Sequence, residues 1–220
     1  MQNISPIFIF FIVCALSVIS ATAASRTIDF LYRKNAALLL QTIPTRTPRL
    51  RLPLLFLGFL LCWWSLGANA GEISLSGVFL VPCGFLLLVI TVTDWEQRLI
   101  LDDTTRLLVL LGLAQSLSVS YASAAYAPLL ENLSAAFVGG LVFFLFALLT
   151  RGGVGGGDIK LIAALGLWLG PDRLLTVVCS GLLLGGLAAF ALLLTGKKKR
   201  KDAFAYGPCF TLPALILLFG

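Results

Sequence analysis

Two aspartates are the residues of this 220-residue chain best suited to catalysis, because the chain contains no histidine. Asp94 ends a long apolar run, and Asp158 closes the stretch Arg151-Gly-Gly-Val-Gly-Gly-Gly-Asp158. An acid at the edge of a membrane segment is costly and usually functional. When two carboxylates share one proton, the ionised one takes a proton from water and the other hydrogen-bonds a scissile carbonyl. The pair therefore predicts acid/base hydrolysis that needs no histidine, serine base or metal.

The glycine-rich stretch before Asp158 indicates a special backbone. Five of the six residues from 152 to 157 are glycine. Glycine packs no side chain, so it permits a tight bend and the close approach of another chain. The stretch therefore predicts a loop that brings Asp158 to its partner.

Each aspartate also has a structural interpretation. Asp94 could be a solvated helix end facing Arg98 four residues on. Asp158 could be a helix N-cap at the positive end of the helix dipole. The other acids of this region are predicted to be helix caps at Asp102 and Asp103 and a loop charge at Glu96.

The composition indicates a polytopic membrane protein. Hydrophobic residues make up 59% of the chain and charged residues only 12%, against about 25% charged in soluble domains. The net charge of +6 comes from loops between apolar segments, so membrane topology explains it better than nucleic-acid binding. Five cysteines lie far apart without a C-x-x-C pair, which favours buried thiols over a zinc site. We expect no metal and no cofactor.

Apolar segments predict an all-α fold with about eight transmembrane helices. They cover residues 6–24, 52–68, 73–93, 107–124, 133–150, 159–170, 174–195 and 204–220. A helix needs about 20 residues to cross a bilayer, so the sixth segment must tilt, extend at its ends or embed only in part. Residues 1–51 are interpreted as the first transmembrane helix and a short basic cytoplasmic segment, and residues 52–220 as the transmembrane catalytic domain.

The basic residues predict the orientation of these helices. With the N-terminus outside, every Lys and Arg except Arg173 falls in a loop on the inner side, as the positive-inside rule requires. Asp94 and Asp158 then lie at the same, cytoplasmic face. A cleaved signal peptide ending near Ala21-Thr22-Ala23 is the alternative for the first segment, but no Lys or Arg precedes that segment.

Three stretches of the sequence resemble the type IV prepilin peptidases, the aspartic leader peptidases of pilus and type II secretion systems. Gly155-Gly-Gly157-Asp158-Ile-Lys160 resembles their G-x-G-D-x-K motif. Asp94-Trp-Glu-Gln-Arg-Leu-Ile-Leu-Asp102 resembles their other aspartate motif, with Leu101 where proline is usual. Tyr206-Gly-Pro-Cys-Phe210 resembles their F-G-P-F close. The resemblance covers roughly residues 72–220.

The resemblance implies that Asp94 and Asp158 are the catalytic pair. Supporting roles are implied for Gly155, Gly157, Lys160 and Asp102. The implied function is a membrane-embedded aspartic endopeptidase that removes the short basic leader of type IV prepilins or pseudopilins at the cytoplasmic face of the bacterial plasma membrane. Its partners would be that substrate and the lipid bilayer, without nucleic acid. Larger members add N-methylation and a domain with two C-x-x-C pairs, but residues 25–51 contain no cysteine, so the resemblance does not extend to methyltransferase activity.

Two other functions stay open at the level of sequence. One is an intramembrane aspartic protease of the broader glycine-aspartate type, acting on preflagellins or signal peptides by the same chemistry. The Gly207-Pro208 tail and the spacing from Asp94 to Asp102 favour prepilins over these substrates. The other is a proton-coupled transporter or scaffold, since membrane acids also form proton relays. The position of the acids at segment ends, without an internal repeat, favours a peptidase.

A chelator tests the prediction that no metal takes part. Treatment of the purified protein with EDTA is expected to leave the rate of precursor cleavage unchanged, because the proposed chemistry needs only two carboxylates and water. The rate is measured by gel shift of a prepilin. Loss of cleavage with EDTA that zinc restores would contradict the prediction.

Overall fold

The computed structural model describes residues 6–39, 49–68, 75–151, 153–194 and 205–220, and within these ranges the regular structure is entirely helical. A short 3-10 turn lies at Ala36–Leu38. The α-helices of the described ranges are α1 (Pro6–Lys34), α2 (Arg51–Ala68), α3 (Leu75–Gln97), α4 (Asp102–Ala122), α5 (Ala127–Leu149), α6 (Gly156–Leu194) and α7 (Gly207–Phe219). The all-α prediction is confirmed.

Length and composition make five helices of the described chain able to cross a membrane. The five segments are Phe10–Lys34, Gly77–Gln97, Asp102–Ala122, Ala127–Leu149 and Gly156–Ala191. Two shorter apolar helices, Arg51–Gly67 and Gly207–Phe219, accompany them. The protein is therefore a multi-pass membrane protein, while the count of about eight crossings and the outer N-terminus stay predictions. The basic run at residues 197–201 lies outside the described residues.

The segments predicted separately at residues 159–170 and 174–195 form one element, α6. Its backbone is helical except at Gly170, where φ is 69° and ψ is −178°. Pro171 follows, and a proline disfavours helical backbone at the residue before it. The positive φ of Gly170 is a further departure from the helix, and glycine adopts it without a steric penalty. The break divides α6 into a short arm (residues 156–169) and a long arm (residues 171–194).

Several helices extend past the ends predicted from hydropathy. The first was expected to end at residue 24 and ends at Lys34; the third was expected to end at residue 93 and ends at Gln97. Charged residues end an apolar pattern without ending the helix, since a helix continues wherever its backbone bonds are made and its polar side chains find partners. As a result Asp94 lies inside the last turn of α3, and not after it.

The helices α3, α4, α6 and α7 form a ring, and the candidate residues Asp94 and Asp158 lie at one end of it. The helices α4 and α7 each contact both α3 and α6. The helices α1 and α2 pack together and against α3, while α5 packs on α6 and α4. The most buried apolar side chains of the ring include Leu87 and Ile90 of α3, Leu161 and Leu165 of α6, and Phe210 of α7.

Small residues bring α5 and α6 close together. A Cβ on Gly166 of α6 would lie 2.5 Å from the Cα and the backbone nitrogen of Ala136 in α5. On the other side of α5, Phe137, Phe144 and Leu149 are exposed, as suits a helix that faces lipid. In membranes, small residues promote helix association because they allow backbones to approach. The α5–α6 contact therefore depends on the missing side chain at Gly166.

Substituting Gly166 by alanine is expected to lower stability by roughly 1–3 kcal/mol, because overpacking forces the two backbones apart. The melting temperature of the protein in detergent measures this effect. Gly186→Ala is the matched control, since a Cβ there meets nothing within 4 Å. Its melting temperature should be unchanged or slightly raised. Equal melting temperatures for the two variants would contradict the packing explanation.

Candidate active site

Asp94 is a buried carboxylate in the last turn of α3. Its exposed fraction is 5%. The backbone N–H of Gly207, at the first turn of α7, donates to Asp94 Oδ2 with an N···O distance of 2.8 Å. The backbone carbonyl of Asp94 accepts a hydrogen bond from the N–H of Arg98 at 2.8 Å. The positive φ of Arg98 ends the helix. The interpretation of Asp94 as a solvated helix end is therefore wrong, because the start of α7 covers its side chain.

Asp158 lies in the first turn of α6, half-buried. Since α6 begins at Gly156, Asp158 is its third residue and Gly155 is in the cap position. The carboxylate of Asp158 folds back to bond the backbone of Gly155, the arrangement that an acid at the third position makes in a capping box. The N-cap interpretation of Asp158 is thus wrong in position, although the residue does stabilise this helix end.

The two aspartates come together at one end of the ring. Asp94 is close enough to Asp158 to interact with it electrostatically. The thiol of Cys209 lies within electrostatic range of both carboxylates. Each carboxylate lies beside the N-terminal end of a helix. Asp94 of α3 contacts the first residue of α7, and Asp158 lies in the first turn of its own helix, α6. Free N–H groups and the positive dipole end of a helix both stabilise negative charge there. Asp94 and Asp158 thus lie within electrostatic range of each other, each beside the N-terminal end of a helix.

At three glycines of the site, an added side chain would displace a neighbouring side chain. A Cβ on Gly155 would lie 3.0 Å from Asp158 Oδ2, and one on Gly157 would lie 2.9 Å from the Cβ of Ile100. A Cβ on Gly207 would lie 2.7 Å from Asp94 Oδ2. Sequence reasoning did not assign Gly207 to the site, although the Gly-Pro pair before an apolar segment is a signal for a helix start.

Lys160 and Asp102 are brought to each other. Lys160 Nζ lies 2.6 Å from Asp102 Oδ1, and their side chains are 55% and 49% exposed. A pair exposed to this degree contributes little to stability, but it joins the start of α4 to the first turns of α6. Asp103 pairs with Lys34 of α1 at 2.8 Å. The capping prediction for Asp102 and Asp103 is wrong, since the cap position of α4 is Leu101 and the two aspartates are the first two residues of the helix itself.

Glu96 is not a loop charge. It belongs to α3, its side chain is only 11% exposed, and it pairs with Arg51. Tyr32 also donates a hydrogen bond to it. Sequence reasoning missed this cluster, because Arg51 and Tyr32 precede Glu96 by 45 and 64 positions. Contacts at such separations leave no local pattern in the sequence.

The site offers no evident metal-ligand set. In the described part of the chain, no three His, Cys, Asp or Glu side chains are grouped so that they could hold a metal ion. All five cysteines are free thiols. The chemistry available at Asp94 and Asp158 is that of carboxylates, water and backbone amides.

Comparisons with known proteins match the region that contains both aspartates. Residues 83–192 match the family model of the type IV leader peptidase family. The chain is 34% identical over 131 residues to a prepilin leader peptidase/N-methyltransferase of Bacillus subtilis (strain 168), covering 60% of this chain and 51% of the relative. It is 31% identical over 181 residues to a protein of the same name from Pseudomonas putida, covering 80% and 59%. The chain spans about half the length of the curated relatives it matches. No solved structure matches it.

Substituting Gly207 by alanine tests the contact between α7 and Asp94. The added Cβ would push on the carboxylate, and we expect precursor cleavage to fall by about tenfold or more. A gel-shift assay at equal amounts of folded protein measures the rate. Gly156→Ala is the control, because a Cβ there meets nothing within 4 Å. If both variants lose activity equally, the glycines do not act through contacts within the protein.

Proposed function

Because the chain belongs to the type IV leader peptidase family, we propose that it is a membrane-embedded aspartic endopeptidase that cleaves the short basic leader from type IV prepilins or pseudopilins. The observation that carries this proposal is the approach of Asp94 and Asp158, two carboxylates from different helices, at one end of the four-helix ring. Both lie within the residues that match the family. The names of the relatives supply the substrate class.

The proposed reaction is hydrolysis by a pair of carboxylates that share one proton. The ionised carboxylate takes a proton from water, and the water oxygen bonds to the carbonyl carbon of the scissile peptide. The protonated carboxylate meanwhile donates a hydrogen bond to the carbonyl oxygen. Transfer of a proton to the leaving nitrogen then breaks the C–N bond. The products are the leader, ending in a carboxylate, and the mature protein with a new amino terminus.

The local surroundings of Asp94 and Asp158 suit this reaction. The N–H of Gly207 bonds Oδ2 of Asp94, and we assign Oδ1 to the contact with substrate or water. The carboxylate of Asp158 is fixed by the backbone of Gly155. Prearranged donors of this kind need no reorganisation when charge develops during the reaction. Gly155 then has the role of leaving room for the Asp158 carboxylate, and Gly157 that of leaving room for Ile100. The ion pair of Lys160 and Asp102 joins the motif segment of Asp158 to that of Asp94.

We place the site at the cytoplasmic face of the bacterial plasma membrane, with the N-terminus outside. The distribution of Lys and Arg supports this orientation. Counting the two arms of α6 separately gives eight apolar helical segments within the described ranges, and this number agrees with the orientation that we propose. Residues 52–220 would form the peptidase domain within the lipid bilayer, and residues 1–51 the first helix and a basic cytoplasmic segment. Nucleic acid has no part in this function.

The proposal concerns peptidase activity alone. The printed names of the relatives also include N-methyltransferase activity. The resemblance would place two C-x-x-C pairs between the first two helices, and residues 25–51 contain no cysteine. We therefore do not extend the proposal to methylation of the new amino terminus.

The proposal predicts that Asp94→Asn and Asp158→Asn each lower cleavage of a prepilin by about 100-fold or more, because asparagine can neither take nor give the shared proton. Removal of the leader is followed by gel shift with purified protein in detergent. Asp103→Asn is the matched control, since its partner is Lys34 at the surface; its rate should equal that of the wild type.

Cleavage near the wild-type rate by either Asn variant of the pair would show that the two aspartates are not the catalytic dyad. A preflagellin and a signal-peptide precursor belong in the same assay. Faster cleavage of either than of the prepilin would shift the assignment to the broader glycine-aspartate proteases.

A further inference from the structure

A buried ion-pair cluster lies behind the last turn of α3, on the side away from the site. Its centre is Arg51, the first residue of α2, which is 1% exposed. Its Nε donates to Glu96 Oε1 at 2.7 Å and its Nη2 donates to Glu96 Oε2 at 2.6 Å. Its Nη1 donates to Asp29 Oδ1 of α1 at 2.5 Å. One guanidinium thus joins three helices.

Tyr32 of α1 completes the cluster. Its hydroxyl donates to Glu96 Oε2 at 2.9 Å. Its ring lies 5.6 Å from the guanidinium carbon of Arg51, within the range of a cation–π contact. Glu96 therefore accepts three hydrogen bonds, two from Arg51 and one from Tyr32, and its carboxylate is fixed in both position and plane.

Stability alone is a poor reason for this cluster. A buried ion pair is often no more stabilising than apolar side chains of similar size, because both charges lose their hydration. An Arg–carboxylate pair with two parallel hydrogen bonds does supply a fixed relative orientation. The cluster therefore suits a place where the orientation of a helix matters.

The last turn of α3 is such a place. Asp94 and Glu96 are two residues apart, so they project about 200° apart around the helix axis, on nearly opposite sides. Asp94 is bonded by Gly207 of α7 on one side, and Glu96 by Arg51 on the other. The helix ends one residue after Glu96, so no further turn steadies it. A rotation of this turn would move the Asp94 carboxylate relative to Asp158.

We propose that Arg51 is a positioning residue: through Glu96 it fixes the rotation of the last turn of α3 and thereby the placement of Asp94 against Asp158. The proposal rests on the peptidase function proposed above. It gives α1 and α2, which lie outside the residues that match the family, a part in the reaction although Arg51 does not contact the catalytic pair.

Kinetics of two variants test this role. Arg51→Lys keeps the charge and loses the two-pronged bond to Glu96, so kcat for prepilin cleavage is expected to fall about tenfold while KM changes less than about twofold. The double variant Arg51→Met with Glu96→Leu leaves no buried charge unpaired, since Asp29 is 38% exposed. It does remove the acceptor of the buried Tyr32 hydroxyl, so we expect it to fold with a melting temperature moderately below that of the wild type. It should lose kcat to the same extent.

Lys34→Gln is the matched control. It breaks another ion pair that ties α1 to a helix of the ring, the exposed pair with Asp103, and its kcat is expected to equal that of the wild type. If Arg51→Lys and the double variant both cleave with wild-type kcat per folded molecule, Arg51 is only structural and the proposal is overturned.

A second measurement does not depend on any substrate. In the wild type, the N–H of Arg98 is bonded to the carbonyl of Asp94. Hydrogen–deuterium exchange of residues 94–100 should be faster in Arg51→Lys, with exchange in α5 unchanged. Exchange equal to that of the wild type would overturn the positioning role. If the wild type fails to cleave prepilins, the proposed function fails, and the exchange measurement still decides the role of Arg51.

Discussion

The hydrogen bond from the Gly207 amide to the Asp94 carboxylate sets much of the structure around the site. The bond requires the first residue of α7 to lie in contact with the last turn of α3, and the residue at position 207 to have no side chain. One turn further along α7, the hydroxyl of Thr211 donates to the carbonyl of Gly207 at 3.0 Å and lies 2.7 Å from the hydroxyl of Thr91 in α3. Hydrogen bonds between helices contribute modestly to their association in lipid, about 0.6 kcal/mol each on average. The Asp94 contact thus belongs to a short polar seam between α3 and α7.

The second aspartate is held by a seam of a different kind. Gly157 packs against Ile100, in the connection between α3 and α4, so the two motif segments touch through an apolar contact. The exposed pair of Lys160 and Asp102 lies at the same end of α4 and α6. The helices that carry Asp94 and Asp158, α3 and α6, are therefore linked by their shared neighbours and by the ends of their motifs.

The sequence was informative where the signal was local. Apolar runs, a glycine stretch and the absence of histidine single out Asp94 and Asp158, which the structure brings near each other and whose catalytic role stays a prediction. Composition predicts the helical membrane fold. Gly207 and Glu96 were not assigned, because their partners lie 113 and 45 residues away and pairing at that range leaves no period in the sequence. Helix ends were misjudged for a related reason: hydropathy falls at the charged residues after Ala24, whereas the helix continues to Lys34. Hydropathy did separate the two arms of α6 correctly, since the backbone breaks at Gly170 between them.

Backbone amides, and not basic side chains, are the groups that bond the two aspartates in the described structure. Such donors are carried by the helices themselves, so they do not change rotamer and cannot be taken away by a competing anion. Dissolved ions screen exposed charges over about 10 Å at moderate ionic strength, but they affect buried contacts much less. The electrostatic setting of the pair is therefore a property of helix placement, and it is altered by moving a helix more readily than by changing the salt around the protein.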